Sequence, residues 1–300
     1  MSAAAARAHR DTIILEDAEL IGQQLWPAEQ YVLRLRAPEI ARRAEPGSFV
    51  HLSCDPDLPM RRPLSIQRAD REQGLIEILY KVVGPGLRAL AGAKPGARIS
   101  CVGPIGRGFV PHRARPRTLL IGGGVGMPPM VFLAERLLAS EGWRPLVLLG
   151  SEVPFPFKPR PSTLLLPGMP AGTIASMPLL EDWGVPSRLA SKAGFAGCHP
   201  GFVTELASEW LAGLAAEALA EVEIFACGPT SMLRAVARIA QRFAVPCQVS
   251  LEEFMACAVG GCAGCAVEVL TAAGPAMKRV CVDGPVFEAN AVFPPPASRK

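Results

Sequence analysis

Hydrophobic and polar residues alternate in short stretches over the first third of the chain. Stretches such as QYVLRLR, GSFVHL, LIEILYK and ARISCV have the length and composition of strands, and turn clusters such as EPG, DPDLP and AKPGA separate them. Short strands at regular spacing are typical of an antiparallel barrel or sandwich. The pattern therefore predicts a β-barrel domain over residues 11–111.

After PHRARPR the pattern changes to that of a parallel α/β unit. TLLIGGG is an apolar strand that enters a glycine turn, FLAERLLASEGW has the periodicity of a helix, and RPLVLLG is a second apolar strand. Further along, the strand EVEIFACG lies between the helical stretches GFVTELASEWLAGL and TSMLRAVARIAQRF. Apolar strands that alternate with helices predict a Rossmann-like domain with a parallel sheet over residues 112–249.

Three segments follow neither pattern. Residues 1–10 are rich in alanine and are predicted to be disordered. The stretch from Val153 to about Pro186 contains VPFPFKPRPS, whose prolines predict a long surface loop. Residues 250–300 are too few for an apolar core of their own, so we expect a bound metal to stabilise this C-terminal module.

Composition and charge exclude several classes of function. The 300 residues carry a net charge of +4 and the arginines are dispersed, which is not the pattern of a nucleic-acid-binding protein. The longest apolar stretch, TLLIGGGVGMPPMVFLA, is interrupted by four glycines and two prolines, so no membrane span is predicted. The N-terminal MSAAAARAHRD has no apolar signal segment, which predicts a cytoplasmic protein with reduced cysteines.

Four cysteines near the C-terminus form the most specific chemical pattern in the chain. Cys257, Cys262 and Cys265 follow the spacing C-x4-C-x2-C, and Cys281 completes the set. This spacing is typical of thiolates that bind one iron–sulfur cluster. Glycines between the ligands tolerate positive φ and so allow the loop to curl; they are Gly260, Gly261 and Gly264. The pattern predicts a [2Fe–2S] cluster, which transfers single electrons.

A structural zinc site and disulfide bonds are the alternatives for these cysteines. Zinc sites usually pair two Cys-x-x-Cys units, or one such unit with two histidines, whereas this chain has one unit and its four histidines lie far from it in sequence. Disulfides require an oxidising compartment, which the N-terminus does not indicate. The other cysteines are isolated in sequence and are expected to be small buried residues: Cys54, Cys101, Cys198, Cys227 and Cys247.

Two short motifs in the first domain are candidate anion sites. The motif RPLS over residues 62–65 places a guanidinium and a hydroxyl on one strand, where both can bind phosphate. In LYKVVGPGLRAL a strand is expected to end at Val83, and Gly86 leads into a helix near Leu87 whose first N–H groups can bind an anion. A solvated arginine and an ordinary turn are the plain alternatives for each motif taken alone.

Two further motifs end strands of the predicted α/β domain. The sequence GGGVG over residues 122–126 allows a dinucleotide to approach the backbone, although it lacks the G-x-G-x-x-G spacing. The sequence CGP over residues 227–229 follows another strand, and ligands of open α/β sheets bind at the carboxyl ends of strands. Cys227 is expected to face that crevice, either with a chemical role or as a small residue that fits there.

In this order, the motifs resemble those of the ferredoxin–NADP reductase superfamily, whose members join an FAD-binding barrel to an NAD(P)-binding α/β domain. The flavin motif of that superfamily is Arg-x-Tyr/Leu-Ser, and its nucleotide domain ends in Cys-Gly-Pro. The ending SLEEFMACAVGGCAGC…VCVDGPVF, together with RPLS and GGGxGxPP, is similar to the electron-transfer subunits of NAD-dependent dihydroorotate dehydrogenases. The resemblance covers about residues 11–290, and the segment 153–200 departs from it by its greater length.

The resemblance implies three cofactors and the residues that bind them. FAD would contact Arg62, Pro63, Leu64, Ser65, Leu79, Tyr80, Lys81, Gly86 and Leu87. NAD would contact Gly122, Gly123, Gly124, Gly126, Cys227, Gly228 and Pro229, with Cys227 near the nicotinamide as the one candidate for a catalytic role. The [2Fe–2S] cluster would be bound by Cys257, Cys262, Cys265 and Cys281. Ser151 and Glu152 follow the strand PLVLLG in place of an arginine cluster, which favours NAD over NADP.

The resemblance also implies a partner and a route for electrons. The partner would be an FMN-containing dihydroorotate dehydrogenase subunit in a two-plus-two heterotetramer, and electrons would pass from FMN through the cluster and FAD to NAD during pyrimidine biosynthesis. FAD is needed on this route because a hydride carries two electrons and the cluster accepts one. The cysteine-rich segment would face the partner with the small apolar residues Ala256, Ala258, Val259 and Ala263.

Three other functions stay open on the sequence. Flavin subunits of cytosolic hydrogenases and of ferredoxin–NADP transhydrogenases share the barrel, the α/β domain and the cluster but serve other acceptors. A redox-sensing regulator would need a DNA-binding or signalling element, and the sequence contains no such motif. A metal-stabilised binding module without flavin would be colourless after anaerobic purification.

Overall fold

The computed structural model of the chain describes residues 13–55 and 57–295. The disorder predicted for residues 1–10 lies outside the described residues. Within those ranges, no helix has both the length and the apolar character needed to cross a membrane.

The first unit is a closed barrel of antiparallel strands. The strands are β1 (Ile14–Trp26), β2 (Gln30–Arg36), β3 (Phe49–Leu52), β4 (Arg62–Asp70), β5 (Leu75–Lys81) and β6 (Arg98–Ile105), and the helices in their connections are α1 (Pro38–Arg43) and α2 (Gly84–Gly92). The strands are hydrogen-bonded in the order β1-β2-β5-β4-β3-β6. The predicted barrel is therefore confirmed.

The barrel interior is filled by alternate side chains of its strands. Successive side chains of a strand point to opposite faces, so every second residue points to the interior. The fully buried residues include Leu33 and Leu35 of β2 and Ile76 and Ile78 of β5. The amide of Gln23 on β1 donates to the carbonyls of Leu90 and Ala91 at 3.1 and 3.0 Å. These bonds attach the C-terminal end of α2 to the barrel wall, so the N-terminal end of α2 has a defined position.

The remaining elements form an α/β unit and a C-terminal segment. The strands are β7 (Arg117–Gly123), β8 (Leu146–Gly150), β9 (Arg160–Pro161), β10 (Ala175–Ser176), β11 (Ser187–Ala190), β12 (Val222–Cys227), β13 (Cys247–Ser250), β14 (Ala266–Thr271), β15 (Gly274–Arg279) and β16 (Val286–Glu288). The helices are α3 (Met127–Leu138), α4 (Pro178–Asp182), α5 (Val203–Ala212), α6 (Ala216–Ala220), α7 (Thr230–Phe243) and α8 (Ala289–Val292).

The α/β unit is built on a sheet with the order β11-β8-β7-β12-β13-β16. Every neighbouring pair is parallel except β13 and β16, which are antiparallel. Helices α5 and α7 pack on the face that carries Leu119 and Ile224, and α3 and α4 pack on the face that carries Leu120 and Phe225. Strands covered on both faces need apolar residues at successive positions. The predicted Rossmann-like architecture is confirmed.

The prediction of a long surface loop for residues 153–186 holds for only part of the segment. This segment contains the hairpin of β9 and β10 and the helix α4. Phe155 and Leu180 are buried in the core beneath α3, and the carboxylate of Glu181 accepts hydrogen bonds from Ser162 and Thr163. The chain lies at the surface around Pro159, Pro161 and Leu165, which are exposed, and returns to the core where aromatic and aliphatic residues supply buried contacts.

The C-terminal segment shares the core of the α/β unit. Strands β14 and β15 form a hairpin, and β16 extends the large sheet by pairing with β13. Val280, Cys281 and Ala289 belong to the same buried cluster as the residues of α5 and α7. The segment is thus stabilised by apolar packing as well as by any metal. The predicted divisions of the chain after residues 111 and 249 stay predictions.

Candidate functional site

Arg62 and the first turn of α2 lie against each other on the barrel surface. A Cβ atom added to Gly86 would lie 2.9 Å from an Nη atom of Arg62, so the guanidinium packs directly on the glycine backbone. The first N–H groups of a helix have no partner within the helix, and a nearby guanidinium adds positive charge and further donors. Two motifs that are separate in sequence therefore combine into one corner that can bind an anion (Arg62–Ser65 and Gly84–Leu87). We call it the flavin corner, after the cofactor that the sequence resemblance predicts there.

The helix of the flavin corner begins earlier than the sequence predicted. It starts at Gly84 with Pro85 in its first turn, whereas the expected start was near Leu87. Proline is favoured at this position because its missing N–H would have had no acceptor within the helix. Leu87 itself is 5% exposed and packs into the barrel core, so its backbone is the part that faces the corner.

The side chains of the predicted β5 residues point in different directions. Leu79 packs against residues of the α/β unit, whereas Tyr80 lies inside the barrel, where its hydroxyl donates to Gln23 at 2.8 Å. The Tyr80 ring also stacks on Tyr31 with a centroid distance of 5.3 Å. Burial raises the pKa of the Tyr80 hydroxyl above its ordinary value. Any contact of Tyr80 with a cofactor on the barrel surface would therefore be made by its backbone.

His51 of β3 is a buried polar residue that sequence reasoning missed. It is paired in register with Pro63 of the RPLS strand, and among the described residues neither ring nitrogen has a hydrogen-bond partner. Burial, and then the positive charge of Arg61, lowers the pKa of His51 to about 4, so the ring is neutral at pH 7. His51 is therefore a neutral, buried ring beside the strand that carries the RPLS motif.

The two motifs of the α/β unit meet at the carboxyl ends of β7 and β12. Gly122 is opposite Cys227 in the strand pairing. A Cβ atom added to Gly126 would lie 2.4 Å from the carbonyl oxygen of Cys227, and Gly124 has a φ of +55°. Only glycine permits this approach of the two turns. The crevice between them is the place where an open α/β sheet binds its ligand.

Cys227 lies at the base of this crevice. It is fully buried, and burial, followed by the charge of Glu252, raises the pKa of its thiol above the ordinary value. The sulfur is consequently a neutral thiol at pH 7 and not a thiolate nucleophile. Its chemical role near a nicotinamide stays a prediction. Its small side chain allows the two turns to pack closely.

The structure gathers the predicted cluster cysteines into one region. The sulfurs of Cys265 and Cys281 are 3.4 Å apart, and the backbone N–H of Cys262 donates to the sulfur of Cys257 at 3.4 Å. The N–H of Gly264 donates to the sulfur of Cys262 at 3.4 Å. We call residues 257–265 the cysteine loop. Backbone donors aimed at sulfur stabilise thiolates, which is the form that binds iron.

Positive φ angles in the cysteine loop differ from those expected. They occur at Ala258, Gly260 and Ala263, whereas Gly261 and Gly264 have ordinary angles. Ala258 is 1% exposed, so it does not belong to the apolar surface predicted to face a partner. Ala256 and Val259 are exposed, and the neighbouring Phe254 is 95% exposed. An apolar surface is therefore present, but it includes Phe254 and does not include Ala258.

The protonation equilibria of the cysteines differ across the set. Burial raises the pKa of Cys257, but N–H groups of Cys262, Val259 and Gly261 outweigh it and lower the pKa to about 7. Burial, and then the neighbouring Cys265, raises the pKa of Cys281 to about 12. Among the described residues, no three Cys, His, Asp or Glu side chains converge as ligands of a single metal ion would. The described residues therefore form no preformed site for a single metal ion.

A charged pair that the spacing of the cysteines did not reveal holds the ligand set together. The Arg279 guanidinium donates to the carbonyl of Gly260 at 2.7 Å, and its Nε lies 3.7 Å from the carboxylate of Asp283. The backbone N–H of Arg279 also donates to that carboxylate at 2.8 Å. These residues flank Cys281 in the sequence. The only signal in the sequence was the position of Arg279, two residues before the last cysteine. An arginine at such a position is ordinarily interpreted as a solvent-exposed charge.

One family profile matches the C-terminal segment. It is described as the iron–sulfur cluster binding domain of dihydroorotate dehydrogenase B and matches residues 252–293. The match contains all four cysteines together with Arg279 and Asp283.

Curated relatives match nearly the whole chain. A protein from Geobacillus thermodenitrificans, named dihydroorotate dehydrogenase B (NAD(+)), electron transfer subunit, is 35% identical over 287 residues that cover 92% of this chain and 98% of the relative. A protein of the same name from Desulforamulus reducens is 32% identical over 273 residues, which cover 90% of this chain and 95% of the relative.

Solved structures match the fold over both units. The structure of an NADH-dependent reduced ferredoxin–NADP oxidoreductase has a TM-score of 0.73 and 25% identity and covers 92% of this chain and 90% of its own. Phthalate dioxygenase reductase has a TM-score of 0.53 at 14% identity, covers 77% of this chain and 65% of its own, and is similar in fold alone.

A flavin-type barrel, a nucleotide crevice and a cysteine loop in one chain define a class, the flavin- and iron–sulfur-containing oxidoreductases that exchange electrons with pyridine nucleotides. FAD, a [2Fe–2S] cluster and NAD are the cofactors of that class that this fold supports. With relatives above 30% identity along almost its entire length, the chain belongs to the electron-transfer subunits of NAD-dependent dihydroorotate dehydrogenase B. The resemblance seen in the sequence is confirmed, and the hydrogenase and transhydrogenase alternatives are not favoured. An electron-transfer subunit implies a catalytic partner subunit.

Proposed function

We propose that this chain carries electrons between an FMN-containing dihydroorotate dehydrogenase subunit and NAD. The observation that supports this most directly is the assembly of three sites in one chain: the flavin corner, the nucleotide crevice and the cysteine loop. When bound, FAD exchanges a hydride with the nicotinamide and single electrons with the cluster. The protein contributes positions and charges.

In the flavin corner, Arg62 and the N-terminus of α2 hold the pyrophosphate of FAD. The guanidinium supplies charge-assisted donors, and Gly86 leaves the space that brings it next to the helix N-terminus. Ser65 on the same strand adds a hydroxyl. Pro63 and Leu64, the β5 residues Leu79 and Lys81, and the backbones of Tyr80 and Leu87 complete the contacts.

In the crevice, the glycines of the β7 turn and the Cys227-Gly228-Pro229 turn accept the dinucleotide. Gly126 keeps the two turns in contact, and Cys227 fills the base of the crevice with a neutral sulfur. At the end of β8, Glu152 favours the free ribose hydroxyl of NAD over the phosphate of NADP.

The four cysteines of the set bind the [2Fe–2S] cluster, and the surface beside them meets the partner. Phe254, Val259 and Ala263 are exposed there, and an electron must leave the cluster over a short distance. The partner holds FMN and the dihydroorotate site, and the assembly is a two-plus-two heterotetramer in the cytoplasm. Replacing Phe254 with Ser should weaken co-purification of the two subunits, and undiminished co-purification would contradict this contact.

The test uses the chain co-expressed with the dihydroorotate dehydrogenase subunit from the same genome and purified without air. Dihydroorotate and NAD are added, and NADH formation is followed by its absorbance. We expect NADH formation with the wild-type chain and none with Cys262→Ser in a complex that still assembles. Cys198→Ser is the matched control, because Cys198 is a half-buried cysteine outside the loop.

Two results would contradict the proposal. Absence of NADH formation by an intact, fully loaded wild-type complex would send the search to another acceptor. Full activity of Cys262→Ser would remove the cysteine loop from the electron route. Loss of activity in Cys198→Ser as well would show that thiol loss in general, and not cluster loss, causes the effect.

A further inference from the structure

Arg279 connects the two halves of the cysteine set. Its guanidinium donates to the carbonyl of Gly260, inside the loop that carries the first three cysteines, at 2.7 Å. Its own backbone begins the turn that carries the fourth cysteine, where the Arg279 carbonyl accepts hydrogen bonds from Val282 and Asp283 at 3.1 and 2.7 Å. One side chain therefore spans from the cysteine loop to the Cys281 turn.

The packing around Gly260 shows how closely these halves approach. Gly260 has a φ of +82°, and a Cβ atom added there would lie 2.5 Å from Val282 and 3.4 Å from an Nη atom of Arg279. The fourth cysteine lies between these two contacts in sequence, with its sulfur 3.4 Å from that of Cys265. A shift of the Arg279 side chain would change the separation of the two halves and so the geometry of the ligands.

Arg279 also brings a permanent positive charge to this region. Its Nε lies 3.7 Å from the carboxylate of Asp283, and the two side chains are 39% and 26% exposed. The ion pair is partly open to solvent, so Asp283 offsets only part of the charge of the guanidinium. The same cavity is lined by Arg279, Cys281, Val259 and Gly260, so this charged pair lies beside the cysteine loop.

We propose that Arg279 is a positioning residue that also sets the reduction potential of the cluster, with Asp283 acting in the opposite direction. This inference rests on the proposed [2Fe–2S] site. Arg279 lines the same cavity as Cys281. A cluster held by these cysteines becomes more negative by one unit charge when a single electron enters, with no bond formed or broken. A nearby guanidinium stabilises that added charge and raises the potential, whereas a carboxylate lowers it.

The experiment is a redox titration of the complete complex, poised with mediators and dithionite without air and read by electron paramagnetic resonance of the reduced cluster. The variants are Arg279→Gln, Arg279→Lys, Asp283→Asn and Lys278→Gln. Lys278 is the matched control because it has one positive charge on the same strand, and neighbouring strand residues point to opposite faces. Iron and sulfide are counted in every sample.

At the wild-type midpoint we expect Arg279→Gln to lower the ratio of reduced to oxidised cluster about tenfold, which is about 59 mV for one electron. Asp283→Asn should raise that ratio, and Lys278→Gln should change it less than threefold. Arg279→Lys keeps the charge but not the fork of donors, so its potential should stay near the wild-type value while a chelator removes its iron faster.

Several outcomes would overturn this inference. They are an unchanged potential in Arg279→Gln, a shift in Lys278→Gln as large as that in Arg279→Gln, and a shift of Asp283→Asn in the same direction as Arg279→Gln. If Arg279→Gln retains no iron, Asp283→Asn and Arg279→Lys decide the charge effect. A wild-type chain without iron and sulfide would instead overturn the proposed cluster itself, which separates the two failures.

Discussion

The flavin corner and the cysteine loop differ in what determines their shape. The flavin corner stands on a strand and a helix whose positions follow from barrel hydrogen bonds and a fully buried core. The cysteine loop has no helix or strand, and positive φ angles occur at two alanines. Its contacts include backbone N–H groups that donate to sulfur, the Arg279 side chain on Gly260, and the 3.4 Å approach of the Cys265 and Cys281 sulfurs. The shape of the first site therefore follows from regular elements, whereas the shape of the second follows from a few turn contacts and from the burial of Ala258 and Cys265.

The largest effect should come from removing the cluster. Treating the complex with an iron chelator under reducing conditions should reduce electron transfer to NAD to background, because one carrier of the route is missing. The loop should become sensitive to proteases near Phe254, while the flavin colour and the protection of barrel amides from hydrogen exchange stay unchanged. Simultaneous loss of flavin would contradict this difference between the flavin corner and the cysteine loop, since it would show that the two sites depend on each other.

The second largest effect concerns the nucleotide crevice. Gly126→Ala would place a Cβ atom 2.4 Å from the carbonyl oxygen of Cys227, so the two turns must separate. We expect a loss of about 3 kcal/mol in the free energy of unfolding of the α/β unit, measured by urea denaturation. Gly92→Ala is the control, because no atom lies within 4 Å of its added Cβ. Equal stability of the two variants would contradict the close approach.

The third prediction tests the flavin corner. Arg62→Ala removes a guanidinium from the N-terminus of α2 and should weaken FAD binding by about 2 kcal/mol, roughly thirtyfold, as measured by titration of the apoprotein. Iron content should stay the same. Arg71→Ala, which removes an ion pair with Glu45 elsewhere on the barrel, should leave FAD affinity unchanged. Iron loss in Arg62→Ala would show that the two sites are coupled.

The smallest effect distinguishes a structural role of the Tyr80 side chain from a direct contact with FAD. Tyr80→Phe removes the hydrogen bond to Gln23, whose amide attaches α2 to the barrel, and should reduce the free energy of unfolding by about 1 kcal/mol in a thermal or urea melt. FAD affinity should change less than threefold, because the Tyr80 hydroxyl points into the barrel. A larger loss of affinity would mean that the Tyr80 side chain contacts the flavin after all.

Sequence patterns were sufficient for most of the fold but not for the long connection after β8. Alternating strands and apolar strand–helix repeats predicted the barrel and the parallel sheet because these periods reflect which face is buried. The proline-rich stretch around Phe155 has no period, so the prediction of a surface loop failed where isolated aromatic residues insert into the core. The start of α2 was misplaced for a similar reason, since a proline can either end a helix or begin one.

The kinds of chemistry this chain carries are determined by its sequence alone. Three local patterns carry this information: the cysteine spacing, the RPLS motif and the glycine turns. Each combines a backbone conformation with charges or thiols in a way that few other functions require. Tertiary structure alone decided which distant residues meet: Arg62 with Gly86, Gly126 with Cys227, and Arg279 with Gly260. Contacts of this kind depend on where packed elements bring the backbone and on side-chain direction. Neither is encoded in any short stretch, because burial of a whole core selects them together.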